Sequence, residues 1–299
     1  MRNATRAIGI LAGCVAAVIS TASVRGQGGA AGRAPAPAPL QRLEVNGATL
    51  EYEVSGTGDP VLLIHGTGVA ATFAPTLTQP PLSRYRLIRY HRRGFAGSSR
   101  APVPFSMRDQ AADAAALLEA LGVSRAHIVG HSFGGSVALQ LALDRPAMVR
   151  SLVVMEPPIF DPNAAVSPFA ALEKTYQSGD KLGAMATFSQ MSYGPEWRTL
   201  AARVPGGPAQ VERDVDTVFQ SEAPSMVEWG FGQAEAARIT QPIIYVTGGG
   251  RHGGSLKQLR AWIPSIESRV VPGTTHAMLM EDPPAVAAAI AEFLNRQPR

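Results

Sequence analysis

The 299-residue chain contains one cysteine, Cys14. No disulfide can form within it, so the fold must rest on packing alone. Charged side chains make up only 17% of the residues, and no basic stripe runs along the chain, which argues against a nucleic-acid partner. Of the formal charge of +4, Arg2, Arg6 and Arg25 fall in an N-terminal segment without acids, and the remainder is close to neutral. Among His65, His91, His131 and His276, each of which follows a run that reads as a strand, no two stand at a metal-ligand spacing such as H-x-x-x-H, so no metal is expected. The glycine-rich run Gly248–Gly254 lacks the G-K-[ST] ending of a phosphate loop and reads as a turn. There are no internal repeats, and no segment past Arg25 is apolar for long enough to cross a membrane. What is present is a globular composition, 45% hydrophobic with 30 glycines and 24 prolines, in a chain long enough to bury a full core.

The N-terminal region reads as a targeting segment. Two arginines precede the apolar stretch Ala7–Ala22, which closes on small residues, the pattern of a secretory signal over residues 1–26. Leu11-Ala12-Gly13-Cys14 resembles a lipobox, so membrane association through lipidation of Cys14, or through a signal retained as an anchor, stays open beside soluble export to the periplasm or medium. Residues 27–39, with alternating Ala-Pro pairs, form a linker, first flexible and then extended.

From Leu40 the pattern becomes that of a folded domain. Leu43–Val45 and Thr49–Val54 flank Asn46-Gly47, a strong hairpin signal. Apolar runs at Val61–Ile64, Leu87–Tyr90, Ala126–Val129, Ser151–Met155, Pro242–Val246 and Arg269–Val271 read as strands. Helical patterns alternate with them: Met107–Leu121, opened by Ser106 and Asp109 as a capping box, the run after Gly135, and a final helix capped by Asp282. Such alternation predicts a mostly parallel sheet covered by helices on both faces. Residues 157–240 break the alternation with helical pieces rich in methionine and aromatics, and read as an inserted cap. Those side chains serve either to pack the cap or to line an apolar acyl pocket.

The chemistry centres on Gly130-His131-Ser132-Phe133-Gly134, a G-x-S-x-G sequence between a strand and a helix. A serine on so sharp a turn is lifted above the strand ends, at the positive end of a helix dipole. Glycines on either side are required because side chains there would collide with the neighbouring strand and helix.

Together with His65-Gly66, Arg93-Gly94 to Ser98, and Pro272-Gly273-Thr274-Thr275-His276, this elbow resembles the α/β-hydrolase fold over about Leu40–Leu294. The resemblance implies a core of residues 40–156 and 241–299 with a helical cap, 157–240, inserted before the last two strands. It implies Ser132 as nucleophile, His276 as general base, and an oxyanion hole from the backbone N–H groups of Phe133 and Thr67, with Gly68 as a substitute for the latter. His65 is expected to be structural. The chain departs from the commonest pattern at the acid: the stretch 247–254 after the penultimate strand holds no carboxylate. A subgroup with Glu-Pro-Pro at the end of the preceding core strand is similar, which points to Glu156; Asp161, or a triad without a carboxylate, stays open. Strand ends at one edge of a sheet are neighbours, so Glu156 can reach the second nitrogen of a histidine there.

The expectation is an exported serine hydrolase acting on small or medium carboxylic esters, lactones included, through an acyl-enzyme and without a cofactor. Its partner is a small-molecule ester. Amide, thioester or carbon–carbon bond cleavage would use the same residues, and a binding protein that keeps the fold without turnover is the reading from another class.

Overall fold

Asn46 and Gly47 both adopt positive φ, +47° and +72°, the backbone twist that a two-residue hairpin turn needs. They join β1 (Gln41–Val45) to β2 (Ala48–Ser55) in antiparallel register, Val45 opposite Ala48. In this computed structural model residues 1, 39–100, 104–161, 167–249 and 254–298 are described. The expected signal segment after Met1, Cys14 within it, nearly all of the linker and residues 250–253 of the glycine-rich run lie outside the described residues.

The remaining strands are β3 (Asp59–Ile64), β4 (Tyr85–Tyr90), β5 (Ala126–His131), β6 (Val149–Met155), β7 (Ile243–Thr247) and β8 (Glu267–Val270). All eight form one sheet in the order β1-β2-β4-β3-β5-β6-β7-β8. From β3 to β8 every pairing is parallel, and only the β1–β2–β4 edge is antiparallel. Alternation along the strands divides the core into two apolar layers. Leu62, Ile64, Ile128, Leu152 and Val154 face one layer; Val61, Leu63, Val129, Val153 and Val246 face the other. Strands buried on both faces are what helical crossovers impose, and they read in sequence as unbroken apolar runs. The edge strand β8 differs: all four of its residues are exposed, and its charges pair outward, Arg269 with Glu292 and Glu267 with Arg296.

Two helix starts follow from local chemistry. Ser106 and Asp109 form a reciprocal capping box on the helix Met107–Ala120, and the Asp282 carboxylate accepts the N–H of Ala285 at the start of Pro283–Asn295. Each such cap satisfies amide donors that have no partner within the helix. Between β6 and β7 the described residues are helical or irregular, from Ala170–Gln177 to Gln233–Ala236, and contain no strand. This segment docks on the sheet body through the Trp229 indole, which donates to Gln140 Oε1 at 2.8 Å. The chain reverses direction across the sheet between β3 and β5, its neighbours in space. The crevice at the carboxyl ends of strands at such a switch point is where α/β sheets hold ligands.

Candidate active site

At the end of β5 the backbone turns sharply into the helix Phe133–Asp144, and Ser132 sits on the turn with φ +52° and ψ −126°. No β-carbon would fit at the second position on either side of it. One added at Gly130 would lie 2.2 Å from Gly134 O, and one at Gly134 would lie 2.1 Å from Ile64 O. The turn therefore presses against the end of β3, and the residues after β3 come with it: a β-carbon on Gly66 would meet Ser132 Cβ at 2.8 Å. Ser132 is partly exposed and opens onto a cavity of about 430 Å³ that Thr67, Glu156 and His276 also line.

Glu156 follows directly on β6, and it too adopts positive φ, +48°. Its neighbour in the sheet is the end of β7, and the carboxylate spans the gap. Oε1 accepts the Thr247 hydroxyl at 2.5 Å and the Gly248 N–H at 3.1 Å. Oε2 accepts Nδ1–H of His276 at 2.6 Å. Both partners of this pair are buried. Burial by itself would raise the Glu156 pKa, but the hydrogen bond and charge of His276, with the Thr247 hydroxyl, hold it below the usual glutamate value. The carboxylate is thus ionised at neutral pH, with its lone pairs engaged on both sides.

The absence of an acid after β7 has a steric counterpart. A β-carbon on Gly248 would come within 2.5 Å of Thr275 O and 2.7 Å of Thr274 O. Glu156 reaches across from the neighbouring strand to the position that a side chain there cannot occupy. Asp161, the other acidic candidate, is exposed.

Among the residues expected at the site, the geometry brings Ser132, His276, Glu156 and Thr67 to one cavity. Phe133 is fully buried at the first position of the elbow helix, where an amide N–H has no intrahelical acceptor. His65 has no place in the cavity lining. Its Nδ1–H donates to Gly66 O at 2.7 Å and its Nε2 accepts the Arg92 N–H at 2.9 Å, and burial holds its pKa well below that of a free histidine.

Several contributors were not foreseen. Thr247 and Gly248 anchor the far side of Glu156. The His131 ring packs 4.7 Å from that of His276, and its Nε2 meets His276 O at 2.8 Å. Tyr193, from the helix Lys181–Tyr193, lays its ring against His276 at 5.8 Å and donates its hydroxyl to Thr67 O at 2.8 Å. Of these only His131, the residue before the serine, carried a signal in the motif itself.

The rest of the cavity is mostly apolar, with Ser192, Ser255 and Gln258 as further polar lining residues. Phe160, Phe169 and Phe188 form one wall with ring centroids 5.5 Å and 6.3 Å apart in succession. Among the described lining residues, Glu156 and His276 are the ionisable ones.

Comparison with known proteins agrees with this architecture. Over 108 residues the chain is 39% identical to a putative carbamate hydrolase RutD of Azorhizobium caulinodans, a match covering 36% of this chain and 41% of that protein. The matched stretch thus spans about two fifths of such curated relatives. A 2-(acetamidomethylene)succinate hydrolase of Mesorhizobium japonicum is 26% identical along 85% of this chain and 95% of its own length. The structure of a thermophilic esterase from Thermogutta terrifontis superposes with a TM-score of 0.73 at 22% identity, covering 87% of this chain and 99% of that one. The model of the alpha/beta hydrolase fold family matches residues 59–283, most of the described chain and every element that builds the site. The chain belongs to the alpha/beta hydrolase fold family.

Proposed function

We propose that the protein is a serine hydrolase of uncharged carboxylic esters with small or medium acyl groups. The observation that carries this is the buried Glu156–His276 pair at 2.6 Å in the cavity onto which Ser132 opens. In the proposed cycle Ser132 Oγ attacks the ester carbonyl carbon while His276 Nε2 takes its proton. Glu156 keeps the other imidazole proton on Nδ1 and balances the imidazolium. The carbonyl π electrons move onto oxygen, which the N–H groups of Thr67 and Phe133 receive. Collapse of the tetrahedral species expels the alcohol, protonated by His276, and leaves an acyl-Ser132. Water, deprotonated by His276, then attacks the acyl-enzyme, releasing the acid and restoring the serine hydroxyl.

The aromatic wall supports the substrate class. A carboxylate on the acyl chain would be desolvated there with no Lys or Arg among the described lining residues, and an ammonium would find only Glu156, already engaged by His276, Thr247 and Gly248; either costs several kcal/mol. An alkyl chain or ring loses nothing. Likeness to a carbamate hydrolase supports a second reading, because a carbamate carbonyl would use the same nucleophile and oxyanion donors.

The test is hydrolysis of a nitrophenyl ester series, from acetate to decanoate, with a nitrophenyl carbamate alongside, by the full chain and by Ser132→Ala. Turnover of the esters that vanishes in the variant is expected. Preference for the carbamate would select the second reading. A chain that neither turns over any member nor is labelled at Ser132 by a fluorophosphonate would be a binding protein on this fold.

A further inference from the structure

The donor assigned to Thr67 is only useful if its N–H points into the cavity. That direction is a property of the Gly66–Thr67 peptide plane, because in a trans peptide the C=O and the N–H point opposite ways. The plane is held by its carbonyl. Gly66 O accepts Nδ1–H of His65 at 2.7 Å and Nη2 of Arg92 at 3.1 Å. Arg92 also donates Nε to His65 O at 3.0 Å, so one guanidinium grips two successive carbonyls of the turn after β3.

Arg92 is fully buried, clamped between the rings of Phe95 and Phe133 at 4.7 Å and 4.6 Å from their centroids. A buried guanidinium needs a counter-charge. The carboxylate that supplies it, Glu222, comes from the helical segment, in the π-turn Val218–Glu222, and is itself fully buried. A second tie from the same segment is the Tyr193 hydroxyl on Thr67 O. Neither Arg92 nor Glu222 lines the cavity.

We propose that Glu222 and Arg92 are positioning residues that lock the Gly66–Thr67 peptide with its N–H toward Ser132, so that the inserted helical segment sets the oxyanion hole of the core. The carboxylate keeps the guanidinium fixed and the guanidinium keeps the carbonyl turned away from the cavity. Without that grip the peptide is free to rotate, and its N–H leaves the position where negative charge develops. This inference rests on the serine hydrolase reading above.

The test compares the full chain with Glu222→Gln and with the double variant R92M/E222M, using a nitrophenyl ester of the preferred chain length. Loss of one oxyanion donor typically lowers kcat by about 100- to 1,000-fold, so a loosened donor should lower it by at least about tenfold. In both variants kcat is expected to fall by that amount, with KM within about twofold. Affinity for an alkyl boronic acid, which forms a tetrahedral anion on the serine, should weaken in proportion to kcat/KM. The double variant separates positioning from mere anchoring. Removing both buried charges relieves the unpaired cation left by Glu222→Gln, so thermal stability should recover at least in part while kcat stays low. Recovery of kcat with stability, or unchanged boronate affinity in Glu222→Gln, would overturn the proposal. Ser132→Ala is the control on the underlying reading: wild-type hydrolysis that survives it would overturn both, whereas Ser132-dependent hydrolysis untouched by the Glu222 and Arg92 changes would overturn this inference alone.

Discussion

Replacing Glu156 with glutamine keeps the shape of the site and changes the position of one proton. Oε1 of Glu156 accepts from the Gly248 N–H and the Thr247 hydroxyl, and Oε2 accepts from His276 Nδ1. A main-chain N–H can only donate, so the amide oxygen of the introduced glutamine must stay on the Gly248 side. Its NH₂ group is then forced onto His276. Two donors cannot face each other at 2.6 Å, so the imidazole must give up the proton on Nδ1 and carry it on Nε2. There it faces the serine and can no longer accept. The alternative, turning the amide over, sets its NH₂ against the buried Gly248 N–H and leaves that donor unsatisfied, at about 1–3 kcal/mol. Either way the competent tautomer is disfavoured and the imidazolium loses its counter-charge. The corresponding carboxylate-to-amide change in a serine protease triad costs about 10⁴-fold in kcat. For Glu156→Gln a fall of about 10³- to 10⁴-fold in kcat is expected, with KM little changed and the fold intact by circular dichroism. A rate within about tenfold of wild type would refute the assignment of Glu156 as the residue that orients His276.

The strained elbow makes a second prediction. Ser132→Ala and Ser132→Gly both lose the hydroxyl, but only glycine relieves the positive φ at residue 132, so Ser132→Gly should be the more stable by about 1–2 kcal/mol in chemical denaturation. Equal stability would mean that the turn stores no strain. A third concerns pH. Burial, helped by the charge of Arg89, pushes His91 down to about 4, and burial with Arg150 pushes His127 down to about 4, while burial, with the charge of Arg92, lowers His65 in the same sense. In each case the unfolded chain takes up a proton first as pH falls. Stability is therefore complete above about pH 6.5 and is lost progressively toward pH 4, by about 2 kcal/mol at pH 5 for His91 and less for His127 after allowing for solvent screening. Urea unfolding at pH 7 and pH 5 measures it, and identical midpoints would refute it.

The parts of the molecule that were legible in the sequence are those whose cause is local. Asn46-Gly47 specifies its turn through positive φ at both residues, and Ser106 with Asp109 announces a helix start because the reciprocal hydrogen bonds span only three residues. Gly130 and Gly134 could be read beside Ser132 because crowding at the elbow tolerates nothing larger. Glu156 was legible for a different reason: the stretch after β7 has no acid, and the carboxylate before Pro157 stands at a strand end that the sheet order makes a neighbour. Other features escaped. The helix Gly254–Trp262 was hidden by the glycines that precede it. Strand β8 begins two residues before the run Arg269–Val271 that marked it, since its side chains face water and leave no period to read. Tyr193, Arg92 and Glu222 carry no motif, because their meaning lies in a meeting between the turn after β3 and a segment more than a hundred residues later. Nothing in local spacing records that encounter.

The exposed strand β8 has a consequence for the behaviour of the protein in concentrated solution. One side of it is bonded to β7, and no described strand pairs with the other, which is thus a sheet margin, the surface on which proteins polymerise by adding strand to strand. Here the margin is only four residues long and presents Glu267, Ser268 and Arg269 to water. Glu267 and Arg269 are each held in an ion pair with the last helix, through Arg296 and Glu292. A second molecule zipping onto this margin would have to break those pairs and strip both charges of water for the gain of a few hydrogen bonds. Charge on this margin thereby opposes growth of the sheet.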